Sequence, residues 1–458
     1  MLTIGWAKTS ITPERAVMLQ GQMHVRISRG VENPLLATAL AVESGGEGAL
    51  FVSCDLAFIP EALMAAVRER LAALLPGFDG MRLMLMATHT HTGPVFTDAF
   101  YTAPEGADIM LPDAVFAFLV ARLADAAAAA WHARAPGAIA RGYGHAVVGH
   151  NRRASYLDGT ARMYGQTHTP NFSHLEGSAD PGVNLLYTFD AGGTLTGVVA
   201  NLSCPSQETE NDYTLSADFW HEVRVELASR LGEDVYLLPQ CAPAGDQSPH
   251  LLLHQKEDAY MLARRGLTRR QEIGRRIAVA VEDVYHAVKD DAVRDAPLRH
   301  HVEALTLPGR TITEADYRYA LAELETVLDQ DPKTSWAQHR LRNMIAEYEA
   351  GGQKPPFTLE LHAVRLGDIA FATSPFELYL DYALRIQARS PAEQTFLSQI
   401  SCGWGYYLPT EKAVAKHYGG LAADNFVGPD GGQLLVERTL AALAALWESA
   451  APAPGSSA

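Results

Sequence analysis

The chain has 458 residues, 48% hydrophobic and 20% charged, the balance of a soluble globular protein with a sizeable core. A net charge of −16 without any basic block argues against a nucleic-acid or anionic-membrane surface without identifying a partner; the expected partner is a small-molecule substrate, with the oligomeric state open. The four cysteines, Cys54, Cys204, Cys241 and Cys402, lie far apart in apolar or glycine-rich settings, the pattern of reduced, buried thiols in a cytoplasmic protein.

No basic-then-apolar leader precedes residues 2–7, which already read as the first strand, and no apolar run reads as a transmembrane segment. Residues 35–43 and 48–54 form a hairpin around Gly45-Gly46-Glu47-Gly48. It ends at Cys54-Asp55, where the acid is a turn former or a site residue with equal claim. Pro60 opens a helix that Pro76-Gly77 stops, and Leu83 to Ala87 is a strand buried on both faces. That strand runs out into Thr88-His89-Thr90-His91-Thr92-Gly93-Pro94. With strand alternation His89 and His91 share one face, and either can ligate a metal; two hydrogen-bonded turn histidines are the plainer reading. Pro112 opens an alanine-rich helix to about His132. The order strand, strand, helix, strand, helix predicts an α/β fold of layered sheets covered by helices.

A strand from Ala138 to Val148 leads into His150-Asn151-Arg152-Arg153 and a long irregular polar loop, a frequent home for function. Arg152 suits a carboxylate or a polarised carbonyl, or is a surface arginine in a turn. A hairpin over 184–203 delivers Cys204-Pro205-Ser206-Gln207, and Ser216 and Asp218 open a helix with His221 in its first turn. The strand Val235–Leu238 feeds a loop with Gly245, Asp246, Ser248 and His250, without the Gly-x-Ser-x-Gly spacing of a nucleophile elbow. Charged helices are expected over 255–290 and over 313–350, the latter divided near Asp331-Pro332. A hairpin over 357–373 ends at Ser374-Pro375-Phe376-Glu377, another strand covers 396–401, and a helix covers 433–448. Residues 1–450 read as one catalytic domain and 451–458 as a flexible tail.

Taken in order, these motifs resemble the neutral, non-lysosomal ceramidase family. Residues 88–94 match its Thr-His-Thr-His-Ser-Gly-Pro stretch, with Thr92 for Ser. His150 to Arg153 is similar to its Asn-Arg-Ser segment, Gly245 to Pro249 to its Gly-Asp-x-Ser-Pro loop, and Ser374 to Glu377 to its Pro-Gly-Glu segment. Tyr407-Leu408-Pro409-Thr410 and Tyr418 resemble its late tyrosines. The resemblance implies the fold of the neutral ceramidase catalytic domain and a zinc amidase. By it, His89, Glu377 and Tyr407 are ligands of Zn2+, His91, Arg152 and Tyr418 contact the scissile amide or its oxyanion, and Ser248 lies beside the reacting carbon.

The chain departs from the family where Cys-His-Pro is expected. It has Cys204-Pro205-Ser206-Gln207, so one histidine ligand is missing. The family's C-terminal immunoglobulin-like domain and a secretion signal are also not read in the sequence. These departures point from ceramide towards a smaller, more polar amide. Gln207 is a poor zinc ligand, whereas Cys204, His91 and His221 are candidate replacements. His221, expected to face the same strand ends, is the preferred one; its plainer role is a helix-cap histidine. Two alternatives stay open: a metal-free ligand-binding descendant, and a serine-dependent hydrolase using Ser248.

Overall fold

The structure is a computed structural model that describes residues 1–97, 101–328 and 336–448. Its largest sheet has eight strands in the order Tyr236–Cys241, Leu195–Leu202, Gly182–Asp190, Ala135–His145, Thr3–Ser10, Leu36–Ser44, Glu47–Cys54, Leu83–Ala87. The interior pairs are antiparallel, but the outermost pair at each edge is parallel. A parallel pair needs a crossover, and a helix supplies it at each edge. Helix α1 (Glu61–Leu74) follows Pro60 and buries Leu63, Met64, Val67 and Leu71, a helical stripe.

At the other edge the crossover helix spans Phe219–Leu231 and buries Phe219, Trp220, Val223 and Leu227. Its Arg224 grips Asp55 with two nitrogens, at 2.8 and 3.1 Å. Asp55 also accepts from the Leu36 amide at 2.9 Å, so this buried acid ties strand to helix and is structural.

The sheet curls until its two edges meet. Ser53 Oγ donates to the Pro239 carbonyl, and Gln240 Nε2 lies 3.3 Å from Met86 Sδ. The C-terminal ends of both parallel edges therefore open into one region, where α/β proteins commonly place their sites. A second sheet, Leu298–Leu307, Phe357–Leu366, Ile369–Thr373, Gln394–Ser398, packs alongside. Beyond it Glu377–Leu378 pairs in parallel with Tyr407–Leu408 and brings Glu377 opposite Tyr407.

One strand was not read in the sequence, and three expectations are corrected. Leu298–Leu307 is a full strand whose alternating charged residues hid it from a search for apolar runs. The helix expected over 255–290 is two, Gln255–Arg265 and Arg269–Val288. Gly266, at φ 65°, ends the first, and a capping box of Thr268 and Gln271 starts the second. The helix Pro112–His132 is long and apolar enough to cross a membrane by length and composition, although no such run was expected; in this fold it buries Val115, Leu119 and Leu123. His89 has φ 63°, so the two histidines are brought together by a left-handed residue beyond the strand, and not by strand alternation. The expected break at Asp331-Pro332 and the tail 451–458 lie outside the described residues.

Candidate active site

A cavity of about 450 Å3 opens where the two sheet edges meet. His89, His91, Arg152, Glu377, Tyr407 and Tyr418 all line it, brought from five separate segments of the chain. His89 Nδ1 donates to the Ala57 carbonyl at 2.6 Å, so in the neutral ring Nε2 is left with a bare lone pair. That nitrogen faces Glu377 Oε2 at 3.5 Å. His91 Nδ1 stands 3.2 Å from Glu210 Oε2, and its Nε2 is 3.4 Å from the Nε2 of His89.

Arg152 is buried, and both of its terminal nitrogens are engaged. It donates to the Tyr164 hydroxyl at 3.0 Å, Gln207 Oε1 at 3.3 Å, the Gly245 carbonyl at 2.9 Å and the Tyr407 hydroxyl at 3.3 Å. Burial works against its charge, but Tyr164, Tyr407 and Glu377 outweigh it and raise the guanidinium well above its usual value. Burial likewise pushes Glu377 upward, yet His89 and Arg152 more than offset it, and the carboxyl is held below its ordinary range. The Tyr407 phenol is raised well above its usual value by burial and by the adjacent Glu377.

Two expected residues are not at the cavity. His221 is not among the lining residues; it lies among Glu222, Arg224, Arg270 and Glu32. The helical phase explains this, since Phe219, Trp220 and Val223 claim the buried face of their helix and leave His221 off it. His221 as the replacement ligand is therefore withdrawn. Ser248 is buried behind Tyr164, whose hydroxyl donates to its Oγ at 3.1 Å, and it too is absent from the lining. Its expected position beside the reacting carbon is corrected, and a Ser248 nucleophile loses support.

Among the lining residues that escaped sequence reading, two contact the expected site residues directly. Tyr164 sits at φ 55° in the irregular loop and bridges Arg152 to Ser248. Glu210 follows Gln207 by three residues, and Gln207 Nε2 donates to it at 3.2 Å. Its segment is pinned by Asp218, whose Oδ2 accepts from the Thr209 amide at 2.7 Å and hydroxyl at 2.8 Å. The only available signal was the acid pair Glu208 and Glu210 after the strand end.

No family model matches the chain. It is 28% identical over 201 residues to the neutral ceramidase of Pseudomonas aeruginosa, a match spanning 43% of this chain and 29% of that protein. The crystal structure of the neutral ceramidase from Pseudomonas aeruginosa superposes with TM-score 0.72 at 20% identity, over all of this chain and 76% of that one. The chain has the neutral ceramidase fold. A ceramidase complexed with C2 gives TM-score 0.70 at 19% identity, over all of this chain and 77% of that one. The mixed α/β architecture is thus the one these ceramidase structures share.

Within this ceramidase-like fold the donors at the cavity suit a divalent metal such as zinc: a lone pair freed on His89, the Glu377 carboxylate and the Tyr407 phenol. Among the described residues the tightest His, Cys and acid cluster lies elsewhere, at Glu360, His362 and Cys402, with ligand atoms within 4.8 Å. Arg68 donates to both carboxylate oxygens of Glu360, and both His362 nitrogens are engaged, so that cluster has little left to offer a cation.

Proposed function

We propose that the chain is a zinc-dependent hydrolase that cleaves an amide C–N bond in a substrate smaller and more polar than ceramide. The observation that carries the reading is the tautomer of His89: the Ala57 carbonyl takes its Nδ1 hydrogen and leaves Nε2 directed at the Glu377 carboxylate inside the cavity. His89, Glu377 and Tyr407 are the residues that would hold the metal. Bound there, zinc would lower the pKa of a water to about 7 and polarise a carbonyl.

The chain's own groups supply the rest. Arg152, kept charged and fixed by four hydrogen bonds, presents a preorganised cation to a developing oxyanion, and Tyr418 adds a phenol on the same wall. Tyr164 and Gln207 hold the guanidinium plane so that it need not reorganise. Phe58, Trp404 and Tyr406 form an aromatic wall, with ring centroids 4.9 Å apart for Phe58 and Trp404 and 3.9 Å for Trp404 and Tyr406. Opposite chemistry comes from Gln20, Glu210 and Asn211, polar groups able to receive substrate N–H or O–H donors. The four free, buried cysteines support work in the reducing cytoplasm.

Metal analysis of the purified protein, with a hydrolysis screen of short-acyl amides against long-chain ceramide in detergent micelles, tests the reading. One equivalent of zinc and chelator-sensitive cleavage of a small amide are expected. A metal-free protein would overturn the hydrolase mechanism in favour of a ligand-binding protein, and efficient ceramide cleavage would overturn the substrate.

A further inference from the structure

The cavity brings two imidazoles nitrogen to nitrogen, and the hydrogens on those rings can be placed from their partners. On His89 the Nδ1 partner is the Ala57 carbonyl oxygen at 2.6 Å, which only accepts. On His91 the Nδ1 neighbour is Glu210 Oε2 at 3.2 Å, and a carboxylate also only accepts. Each neutral ring can therefore carry its hydrogen on Nδ1 and present a bare Nε2, although the His91 Nδ1 contact with Glu210 falls outside hydrogen-bond geometry. The two bare nitrogens stand 3.4 Å apart, with ring planes at 87° and centroids 4.8 Å apart. In that arrangement two lone pairs face each other in a buried site and repel unless a proton or a metal cation lies between them.

The two distances from His89 also fit a metal. Zinc bound by imidazole at 2.0–2.1 Å in tetrahedral geometry sets its ligand atoms about 3.3–3.4 Å apart. Nε2 of His89 stands 3.4 Å from Nε2 of His91 and 3.5 Å from Glu377 Oε2. Both edges from His89 thus have the length of a tetrahedral edge, while the ligand atoms of His89, His91 and Glu377 do not all lie within 4.8 Å of one another, so His91 and Glu377 would have to close on the metal. We propose that His91 is a metal ligand, taking with His89 the second nitrogen position of the site, and that Glu210 is the positioning residue that orients it. This rests on the zinc reading of the cavity.

The surroundings hold His91 in that role. Its amide donates to the Ser206 carbonyl at 3.1 Å, and its carbonyl accepts from Arg26. Gly21, at φ 108°, packs so closely that a Cβ there would lie 2.5 Å from the His91 Cβ. Gln207 lies in the segment where the family pattern has a histidine, yet it turns its amide to other work. Its Oε1 accepts from Arg152 at 3.3 Å and its Nε2 donates to Glu210 at 3.2 Å. Gln207 therefore supports the acid that orients His91 and does not ligate. With His91 on the metal, Arg152 and Tyr418 remain as the groups that meet the substrate's oxygen.

Zinc affinity by chelator competition and the visible spectrum of the Co2+-loaded protein test this without an activity assay. Wild type should bind one equivalent, and His89→Ala should abolish binding. His91→Asn should weaken zinc by at least about 100-fold and alter the Co2+ bands, and Glu210→Gln should weaken it by about 10–100-fold, the usual effect of losing an orienting partner. Glu210→Gln changes no ligand and little volume, so it reports even if His91→Asn fails to fold. The inference is overturned if His89→Ala loses the metal while folded His91→Asn, or Glu210→Gln, keeps wild-type affinity and spectrum. A wild-type protein that binds neither zinc nor cobalt overturns the zinc reading itself and this inference with it.

Discussion

Around His362 the Nε2 meets Glu360 Oε1 at 2.6 Å, the Nδ1 meets His300 Nε2 at 2.9 Å, and Arg68 closes the carboxylate from the other side. Around His89 one nitrogen is satisfied by a backbone carbonyl, and the other faces a second imidazole and a carboxylate at 3.4 and 3.5 Å. Both regions pair histidine with glutamate inside the protein, and the first is the more compact. Compactness is a poor guide to metal binding here, because what matters is a lone pair without a partner. An arginine on the carboxylate makes the first cluster a structural network; the second keeps its donors available.

The sharpest way to break this comparison is to remove a member from each side. His89→Ala and Glu377→Gln should release the metal and reduce hydrolysis by at least about 10³-fold, since metal activation of water is the largest contribution asked of the site. His362→Ala should destabilise the fold and leave metal stoichiometry at the wild-type value. Metal loss from His362→Ala with retention in His89→Ala would reverse the assignment of the two clusters.

Next in size is Arg152. Replacing it with alanine should lower kcat by about 10²–10³-fold, the usual effect of losing one oxyanion donor, while metal content stays intact. Lysine should recover little, because four separate acceptors hold the planar fork. Steady-state kinetics beside metal analysis distinguishes this from a ligand loss. An Arg152→Ala variant with wild-type kcat would leave the arginine a purely structural role.

At the saturated cluster the readout is stability. Burial alone would raise the Glu360 carboxyl, but His362 and Arg68 pull it down to about 2. A carboxyl depressed in the folded state stabilises the fold above its unfolded pKa of about 4.5, and that stability is lost as pH falls from there towards 2. Arg68→Ala should therefore cost about 2–3 kcal/mol at neutral pH, discounted from a fully buried pair because both side chains are partly exposed. It should also flatten the acid limb of a denaturation series. An unchanged acid limb would show that Glu360 is not the group responsible.

Much of this molecule was legible in sequence because its signals are local. Pro60 and Pro112 mark helix starts, Gly45 and Gly46 mark a hairpin, and apolar runs such as Leu83 to Ala87 mark buried strands. The strand Leu298–Leu307 was missed because Arg299, Glu303 and their neighbours interrupt its apolar pattern, and only pairing with Phe357–Leu366 makes it a strand. His89, His91, Arg152, Glu377, Tyr407 and Tyr418 could be gathered as an ordered set of motifs, and the fold places them around one cavity. Glu210 and Tyr164 could not, since their importance arises from contacts 119 and 84 residues away or across the cavity, to His91 and Ser248. His221 misled because a histidine near a strand end looks available until the phase of its helix is known.

The smallest expected effect separates the two ways of reading Ser248. Its Oγ accepts from the Tyr164 hydroxyl at 3.1 Å and from the His250 amide at 3.0 Å, behind the cavity wall. The nearest imidazole in sequence, His250, instead faces Glu208 and Glu210, each at 3.5 Å, and among the described residues no base is placed on the serine. Ser248 thus fixes Tyr164, and Tyr164 in turn fixes Arg152. Removing the hydroxyl leaves Tyr164 with the Arg152 and Gln207 contacts that already hold its oxygen. Ser248→Ala should accordingly keep its metal and lose no more than about tenfold in kcat, roughly one hydrogen bond's worth of positioning. A serine nucleophile would instead lose nearly all activity and leave a covalent adduct on Ser248 detectable by mass spectrometry during turnover. Finding that adduct would move the chemistry from the metal cavity to the loop behind it.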